Sequence, residues 1–244
     1  MNNLLELKNI SLFNGENIRL KDINLEVNEG EKIALIGKSG SGKSSLISIA
    51  NGSLIPTEGD VKWKGHSINK ISRRESSKIG TIWQDLSLIE ELNVAQNINC
   101  GVLGKHNFLW ALKNLIGILD EDLCQECLSA VDLPKATNYS FISKLSGGQK
   151  KRIAIARLLR QEPDMLLGDE PFSNLDPMLS KNILNLLLNQ NKHYSIKIPS
   201  TIVISLHQIN LINNFNRVIG LKNGTIVIDR SIKDVNPSQL DWLF

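Results

Sequence analysis

The chain has 244 residues, of which 41% are hydrophobic and 22% charged, the composition of an ordinary globular protein with one sizeable domain. Its formal net charge of +3 is too small to indicate a nucleic-acid-binding protein, so we expect no nucleic-acid partner. No stretch approaches the roughly 20 apolar residues of a membrane helix, and the first residues lack the pattern of a secretory signal, so a role at a membrane requires a partner chain.

The first part of the chain predicts a β-hairpin followed by a buried strand. Apolar and polar positions alternate over 3–12 and again over 18–27, which predicts two strands joined near Asn14-Gly15. A turn over 28–31 then leads into the apolar run 32–36. This run has the pattern of a buried strand.

The residues after this run match the phosphate-binding pattern G-x-x-x-x-G-K-[ST], and a helix ending near Asn51-Gly52 is predicted to follow. Glycines let the backbone turn its N–H groups toward phosphates, and the helix start adds the positive end of its dipole. We expect Lys43 to neutralise the β- and γ-phosphates and the Ser44 hydroxyl to bind Mg²⁺. A glycine-rich turn can match by accident, but here strand and helix stand in the required order. The predicted triphosphate site comprises Gly37, Lys38, Ser39, Gly40, Ser41, Gly42, Lys43, Ser44 and Ser45.

The rest of the chain predicts an α/β core with a helical insertion. Further strands are predicted at 61–65 and 79–83, and apolar residues at helical spacing replace strand patterns between 90 and 160. Strands resume at 165–167, 201–205, 218–221 and 225–228. Strands that alternate with helices in this way are typical of a nucleotide-binding core.

The three cysteines indicate a reducing compartment, because an odd number in a long chain is not a disulfide framework. Cys124 and Cys127 form a lone C-x-x-C without a second pair or a neighbouring histidine. A metal or redox site is one interpretation. We prefer the interpretation that the two cysteines lie one helical turn apart by chance.

Two acids follow the predicted strand 165–167. Asp169 is placed to hold Mg²⁺, and Glu170 could polarise the water that attacks the γ-phosphate. Taken alone, an acidic pair after a strand is as often an exposed turn.

The pentapeptide Leu145-Ser146-Gly147-Gly148-Gln149 precedes a helix predicted over 150–159. Ser146 is a good N-cap, and the two glycines leave backbone N–H groups open to an anion. An ordinary helix start is the plain alternative. A second phosphate-binding helix start has little use in one chain unless it faces the nucleotide of another chain.

With these motifs the sequence resembles the ATPase subunits of ATP-binding-cassette (ABC) transporters from Leu4 to about Asp229. The resemblance implies a P-loop NTPase (RecA-like) core with an antiparallel β-subdomain and an inserted α-helical subdomain. We expect a single domain over 1–244, with the core at 1–86 and 157–230. The helical subdomain is then expected at about 87–156 and a short tail at 231–244.

The resemblance also implies roles for further residues. Gln84 resembles the glutamine that senses Mg²⁺ and faces the transport subunit, and His207 resembles the switch histidine that contacts the γ-phosphate. The run Ser173-Asn174-Leu175-Asp176 resembles the loop that touches the opposite protomer. Phe13 takes the place of the aromatic residue that stacks on adenine, although a phenylalanine there could also be a core residue.

A family member of this kind works as a head-to-tail dimer with two ATP molecules in its interface. Each ATP lies between the phosphate loop of one copy and Ser146, Gly147, Gly148 and Gln149 of the other. The resemblance further implies integral permease subunits, a substrate-binding protein, and a place on the cytoplasmic face of the inner membrane. Movement would pass to the permease through the segment 84–92.

Within the family the chain is similar to the ATPase subunits of bacterial phosphonate importers, so phosphonate or phosphite is the expected cargo. Leu206-His207-Gln208 and the stretch 97–104 with Trp110 carry this resemblance, and we expect no regulatory domain after 223–225. The chain departs from the family pattern at Gly168, Asn174 and the lysine pair 150–151. None of these departures removes a catalytic group.

Other functions remain as alternatives. One is the ATPase of an exporter, a lipoprotein-release system or a cell-division complex. ABC proteins that act on ribosomes resemble two fused cassettes, and those that act on DNA carry long coiled coils, neither of which this sequence shows. A P-loop kinase or GTPase conflicts with the pentapeptide.

Overall fold

The computed structural model describes residues 3–15, 17–173, 175–189, 196–235, 240 and 242–243. Asn174, one of the predicted interface residues, lies outside the described residues. The strands and helices, in chain order, are β1 (Asn3–Asn14), β2 (Asn17–Asn28), β3 (Lys32–Ile36), α1 (Lys43–Ala50), β4 (Glu58–Trp63), β5 (His66–Ser67), α2 (Arg73–Ser76), β6 (Ile79–Ile82), α3 (Val94–Asn99), α4 (Phe108–Ile116), α5 (Glu121–Ala130), α6 (Gly147–Gln161), β7 (Met165–Gly168), α7 (Pro177–Asn189), β8 (Thr201–Ser205), β9 (Arg217–Lys222) and β10 (Thr225–Ser231).

The chain forms two compact units. The first comprises Met1–Ser72, Met165–Glu170 and Ser200–Phe244, and the second comprises Arg73–Asp164 and Pro171–Pro199. The α/β fold predicted from the sequence is confirmed. The subdomain limits expected above stay a prediction.

An antiparallel sheet with the strand order β2-β1-β4-β5 belongs to the first unit. The predicted hairpin is confirmed, and its closing pairs are Phe13↔Ile18 and Asn14↔Asn17. Alternate positions of β2, including Ile23, Leu25 and Val27, are buried, as expected when one face of a strand covers a core. The hairpin therefore has a fixed register that determines where Phe13 lies.

The other sheet of the first unit places β10, β9, β3, β8 and β7 side by side in that order. The three neighbours β3, β8 and β7 are parallel, and every residue of β7 and β8 is buried. Such continuous apolar strands are typical of a parallel sheet that is covered on both faces. Because the carboxyl ends of parallel strands share one edge, the segments after β3, β7 and β8 meet there.

Helices dominate the second unit between residues 90 and 160, as predicted. Helix α6 packs against α3 and α5, and Ile98 of α3, Leu128 of α5 and Ile155 of α6 are all fully buried. No helix in the described ranges is both long and apolar enough to cross a bilayer.

The three cysteines are free thiols, and Cys124 and Cys127 lie on the buried face of α5. Burial raises the pKa of each of these two thiols to about 12. Within the described part of the chain, no group of three or more His, Cys, Asp or Glu side chains could hold a metal ion. The packing agrees with the interpretation of this C-x-x-C as two buried neighbours on a helix.

Among the glycines that the structure describes in the second unit, Gly101 lies closest to a neighbouring backbone. A Cβ atom there would lie 2.2 Å from the carbonyl oxygen of Arg157, whereas a Cβ at Gly117 would meet nothing within 4 Å. Neither glycine has a positive φ. The two positions therefore differ in available space and not in backbone strain.

We expect Gly101→Ala to lower the free energy of unfolding by about 1–3 kcal/mol, because the new methyl must displace the backbone of α6. Gly117→Ala should change it by less than about 1 kcal/mol. Urea unfolding of both variants measures the difference. Equal midpoints for the two variants would contradict the packing described here.

Candidate nucleotide-binding site

The predicted phosphate loop joins β3 to α1 in the order that the motif requires. Gly37, Gly40 and Gly42 have φ values of 150°, 79° and 108°, in the region that favours glycine. A Cβ at Gly37 would lie 2.4 Å from the carbonyl oxygen of Leu221, and one at Gly42 would lie 2.7 Å from Leu20 Cδ2. Neighbouring strands thus back the loop so closely that only glycine fits.

The loop presents exposed residues on one side and buried ones on the other. Lys38, Ser39, Gly40 and Ser44 are exposed, whereas Ser41 and Lys43 are buried. Ser45 is partly buried in the first turn of α1. Because the first N–H groups of a helix lack intrahelical partners, the exposed loop and the start of α1 form a concave set of donors for an anion.

Lys43 lies against its own loop. Its Nζ donates to the carbonyl oxygens of Gly37 at 2.6 Å and Lys38 at 3.2 Å. Burial lowers the pKa of Lys43, and the nearby carboxylates of Glu170 and Asp169 partly oppose that shift. The ammonium group is therefore held at the loop with little solvent around it, where an anionic ligand would stabilise its charge.

The acidic pair follows β7 at the same sheet edge and is not an exposed turn. Asp169 is 4% exposed, and its Oδ1 accepts a hydrogen bond from Ser205 Oγ at 3.0 Å. Glu170 is partly buried and has a φ of 51°, uncommon for a residue with a side chain. Its backbone N–H donates to the same Ser205 Oγ at 2.9 Å.

His207 follows β8 and contacts Glu170 directly, through a hydrogen bond between its Nε2 and Glu170 Oε1. The histidine side chain is 45% exposed and the glutamate side chain 17%. Thus the structure brings Lys43, Asp169, Glu170 and His207 together in the first unit, although they are up to 164 positions apart in the chain.

Phe13 is 38% exposed at the closed end of the β1–β2 hairpin. It pairs with Ile18 of β2, and β2 continues to Arg19 and Leu20, which lie directly against Gly42 of the phosphate loop. Phe13 is thus a surface residue on an element that touches the loop. Its contact with adenine remains a prediction.

The pentapeptide begins a helix, as predicted, but α6 is longer than the predicted range 150–159. It starts at Gly147 and ends at Gln161, because Ser146 and Gln149 form a reciprocal capping box within the pentapeptide itself. The N–H of Gln149 donates to Ser146 Oγ at 3.3 Å, and the N–H of Ser146 donates to Gln149 Oε1 at 2.9 Å. A Cβ at Gly147 would meet nothing within 4 Å, so the surface over the first turn is open.

Asp176 caps α7, with its Oδ1 accepting a hydrogen bond from the N–H of Leu179 at 2.9 Å. Lys151 binds Ser173, three residues before Asp176: its Nζ donates to the carbonyl oxygen of Ser173 at 2.6 Å and to Ser173 Oγ at 2.7 Å. Lysine at 151 appeared in the sequence only as a departure from the family pattern. In the structure it ties α6 to Ser173.

Gln84 is exposed two residues after β6, at the start of the segment 84–92. Side chains of the helices hold this segment. Arg157 Nη2 and Nη1 donate to the carbonyl oxygens of Leu86 at 2.6 Å and Ser87 at 2.7 Å. Asn97 Nδ2 donates to the carbonyl oxygen of Ile89 at 2.9 Å, and Asn97 Oδ1 accepts from the Ile89 N–H at 2.8 Å. Gln84, the pentapeptide and Asp176 all belong to the second unit.

Three residues in this arrangement were missed by sequence reasoning: Ser205, Arg157 and Lys151. Their partners are 22 to 71 positions away in the chain. Only the position of Ser205 at the end of an apolar strand gave a signal, because a hydroxyl there must find a partner.

Arg157 is expected to control the order of the segment 84–92. Arg157→Lys removes the planar pair of donors that binds two consecutive carbonyl groups. We therefore expect faster hydrogen exchange, by about tenfold, at the amides of 84–92 in the variant. Peptide-resolved exchange mass spectrometry measures it.

Arg152→Lys is the matched control, because Arg152 lies on the same helix but its Nη1 donates to the carbonyl oxygen of Asp132 at 2.8 Å. This variant should leave exchange in 84–92 unchanged. The same acceleration in both variants would mean that Arg157 only stabilises α6 in general.

Comparison with known proteins agrees with this geometry. The sequence profile described as "ABC transporter" matches residues 20–173. The chain is 35% identical to the Phosphonates import ATP-binding protein PhnC 3 of Halalkalibacterium halodurans, over 99% of this chain and 94% of that protein. It is 38% identical to the Phosphonates import ATP-binding protein PhnC of Treponema denticola, over 93% of this chain and 89% of that protein.

Solved structures show the same likeness. The dimeric post-hydrolysis state of the ATP-binding cassette MJ0796, bound to ADP and Pi, superposes with a TM-score of 0.81 at 30% identity, over 95% of this chain and all of that chain. A nucleotide-free ATP-binding cassette from an ABC transporter gives a TM-score of 0.79 at 27% identity, over 98% of each chain.

Proposed function

The chain belongs to the ABC transporter family, and we propose that it is the ATP-hydrolysing subunit of an importer of phosphonate or phosphite. The observation that carries this proposal is the gathering of Lys43, Asp169, Glu170 and His207 at one edge of the parallel sheet. A lysine-bearing anion cradle beside two carboxylates and a histidine suits hydrolysis of a phosphoanhydride. The whole chain, 1–244, would act as one cassette, with the helical subdomain at about 87–156.

ATP would bind with its phosphates over the loop 37–45 and with adenine against Phe13. The exposed N–H groups of the loop and of the first turn of α1 would donate to phosphate oxygens. Lys43 would exchange its present carbonyl acceptors for the β- and γ-phosphates. That exchange gives the partly desolvated ammonium an anionic partner.

The residues around the loop also fit a magnesium ion. The Ser44 hydroxyl and the Asp169 carboxylate are hard oxygen donors of the kind that Mg²⁺ prefers. Bound there, the ion would neutralise charge on the phosphates. Asp169 would hold it by the carboxylate oxygen that Ser205 does not contact.

Glu170 would orient and polarise the attacking water, taking its proton as the oxygen bonds to the γ-phosphorus and the bond to ADP breaks. His207, which contacts the Glu170 carboxylate, would hold that carboxylate and donate to the γ-phosphate. Lys43 would stabilise the negative charge that develops on the leaving oxygen.

The second half of each site would come from another copy of the chain. Ser146, Gly147, Gly148 and Gln149 form a well-capped helix start, the open backbone donors of which suit the γ-phosphate of a partner's ATP. Asp176 would contact the partner nearby. A head-to-tail dimer with two nucleotides in the interface follows, and the MJ0796 cassette with ADP and Pi was solved as a dimer.

Partner proteins would supply the membrane path, and the chain would sit peripherally on the cytoplasmic face of the inner membrane. We place the contact with integral permease subunits at the segment 84–92, where Ile89 is 43% exposed. A substrate-binding protein would deliver the cargo to that complex. The names of the relatives support phosphonate as the cargo.

Glu170→Gln tests the hydrolytic role. Because the amide cannot take the proton of water, the turnover number should fall about 10²–10³-fold. ATP affinity should stay within about threefold, because the loop and Lys43 are unchanged. Lys43→Ala should instead weaken ATP binding itself, at least tenfold. Brisk hydrolysis by Glu170→Gln would refute the assignment.

Copurification from membranes tests the transport role. The tagged chain should bring along an integral membrane subunit, and Ile89→Asp should reduce its yield several-fold, because a charge is costly in an apolar contact. Ile55→Asp is the matched control, since Ile55 is 70% exposed in the other unit. Recovery of soluble partners only would overturn the role. A permease without a substrate-binding protein would favour an exporter, a lipoprotein-release system or a cell-division complex.

A further inference from the structure

We infer that Ser205 is a positioning residue for hydrolysis, because its single hydroxyl fixes both acids of the site. This inference rests on the proposed function, since it assigns Ser205 a part in the same reaction. Ser205 ends β8 and is fully buried. The parallel pair Gly168↔Ile204 brings it level with Asp169, the first residue after β7.

The direction of the two hydrogen bonds is determined by chemistry. A backbone N–H can only donate, so Ser205 Oγ must accept from the N–H of Glu170 at 2.9 Å. The one hydroxyl proton is then available for Asp169 Oδ1 at 3.0 Å. Asp169 is thereby held by one oxygen, and its other oxygen, Oδ2, is left for a cation.

The backbone of Glu170 gives this contact its importance. With a φ of 51° this residue has a left-handed conformation, which persists only where the surroundings hold it. Ser205 binds its main-chain N–H, and His207, two residues further along, binds its carboxylate. Ser205 at the end of β8 and His207 just after it therefore hold Glu170 by both its backbone and its side chain.

A buried serine at a strand end could also act only in stability. Thr201 supplies the matched case, because it begins the same strand, is equally buried, and accepts a hydrogen bond from the N–H of Gly30 at 2.9 Å. Its hydroxyl contacts neither acid. Thr201→Val and Ser205→Ala each remove a buried hydroxyl that binds a backbone N–H, but only Ser205→Ala releases Asp169 and Glu170.

The first measurement is hydrogen exchange at the Glu170 amide by NMR, on the chain without nucleotide or metal. Ser205→Ala should speed this exchange at least tenfold, whereas Thr201→Val should leave it unchanged. If the amide exchanges at the wild-type rate in Ser205→Ala, the inference is wrong. This readout stands even if the protein proves not to hydrolyse ATP, so the two failures can be told apart.

The second measurement is ATP hydrolysis by the same variants, together with the affinity of the ATP complex for Mn²⁺ measured by electron paramagnetic resonance. For Ser205→Ala we expect kcat to fall at least tenfold with KM within twofold, and the Mn²⁺ concentration at half-saturation to rise several-fold. Thr201→Val should lower the midpoint of urea unfolding but keep kcat within twofold. Equal losses of kcat in both variants would reduce Ser205 to a structural residue.

Ser205→Cys provides a milder change if Ser205→Ala does not fold. It keeps nearly the same volume but replaces oxygen by sulfur, a weaker acceptor and donor. Intermediate exchange of the Glu170 amide and an intermediate kcat are expected. Wild-type values for both would overturn the inference.

Discussion

The register of three parallel strands is the constraint on which the candidate site depends. Pairing of β3 with β8 and of β8 with β7 places the phosphate loop, Ser205 and Asp169 side by side at one sheet edge. A shift of one residue in any of these strands would turn the side chains of that strand to the opposite face and separate its part of the site from the others. The apolar residues of all three strands are buried, so such a shift would also expose much of the core. The core therefore enforces the geometry of the site.

The charges at that edge support the proposal that a nucleotide and a cation bind together. Lys43 faces two carboxylates across a partly desolvated site, and burial acts against its charged form. A triphosphate alone would bring several negative charges next to Asp169 and Glu170. A divalent cation between phosphates and carboxylates removes that repulsion, while Lys43 gains anionic partners. Each ligand thus makes the site more favourable for the other.

The sequence predicts the parts of the site that are contiguous in the chain. The phosphate loop and the capped pentapeptide carry their own turn and capping signals, and the buried strands appear as apolar runs. The links formed by Ser205, Arg157 and Lys151 join residues distant in sequence, so no local pattern indicates their partners, and only Ser205, a hydroxyl at the end of an apolar strand, gave a signal at all. The predicted start of α6 at 150 was wrong for a different reason: the two glycines disfavour a helix, although Ser146 and Gln149 have the spacing of the capping box that the structure shows.

The second unit connects the proposed permease contact to the pentapeptide through one helix. Helix α6 begins at Gly147 and carries Lys151, which binds Ser173, and Arg157, which binds the backbone of 86–87. A rigid helix cannot move at one end without displacing the other, so a shift of the segment 84–92 would also move the helix start that we propose faces the partner's nucleotide.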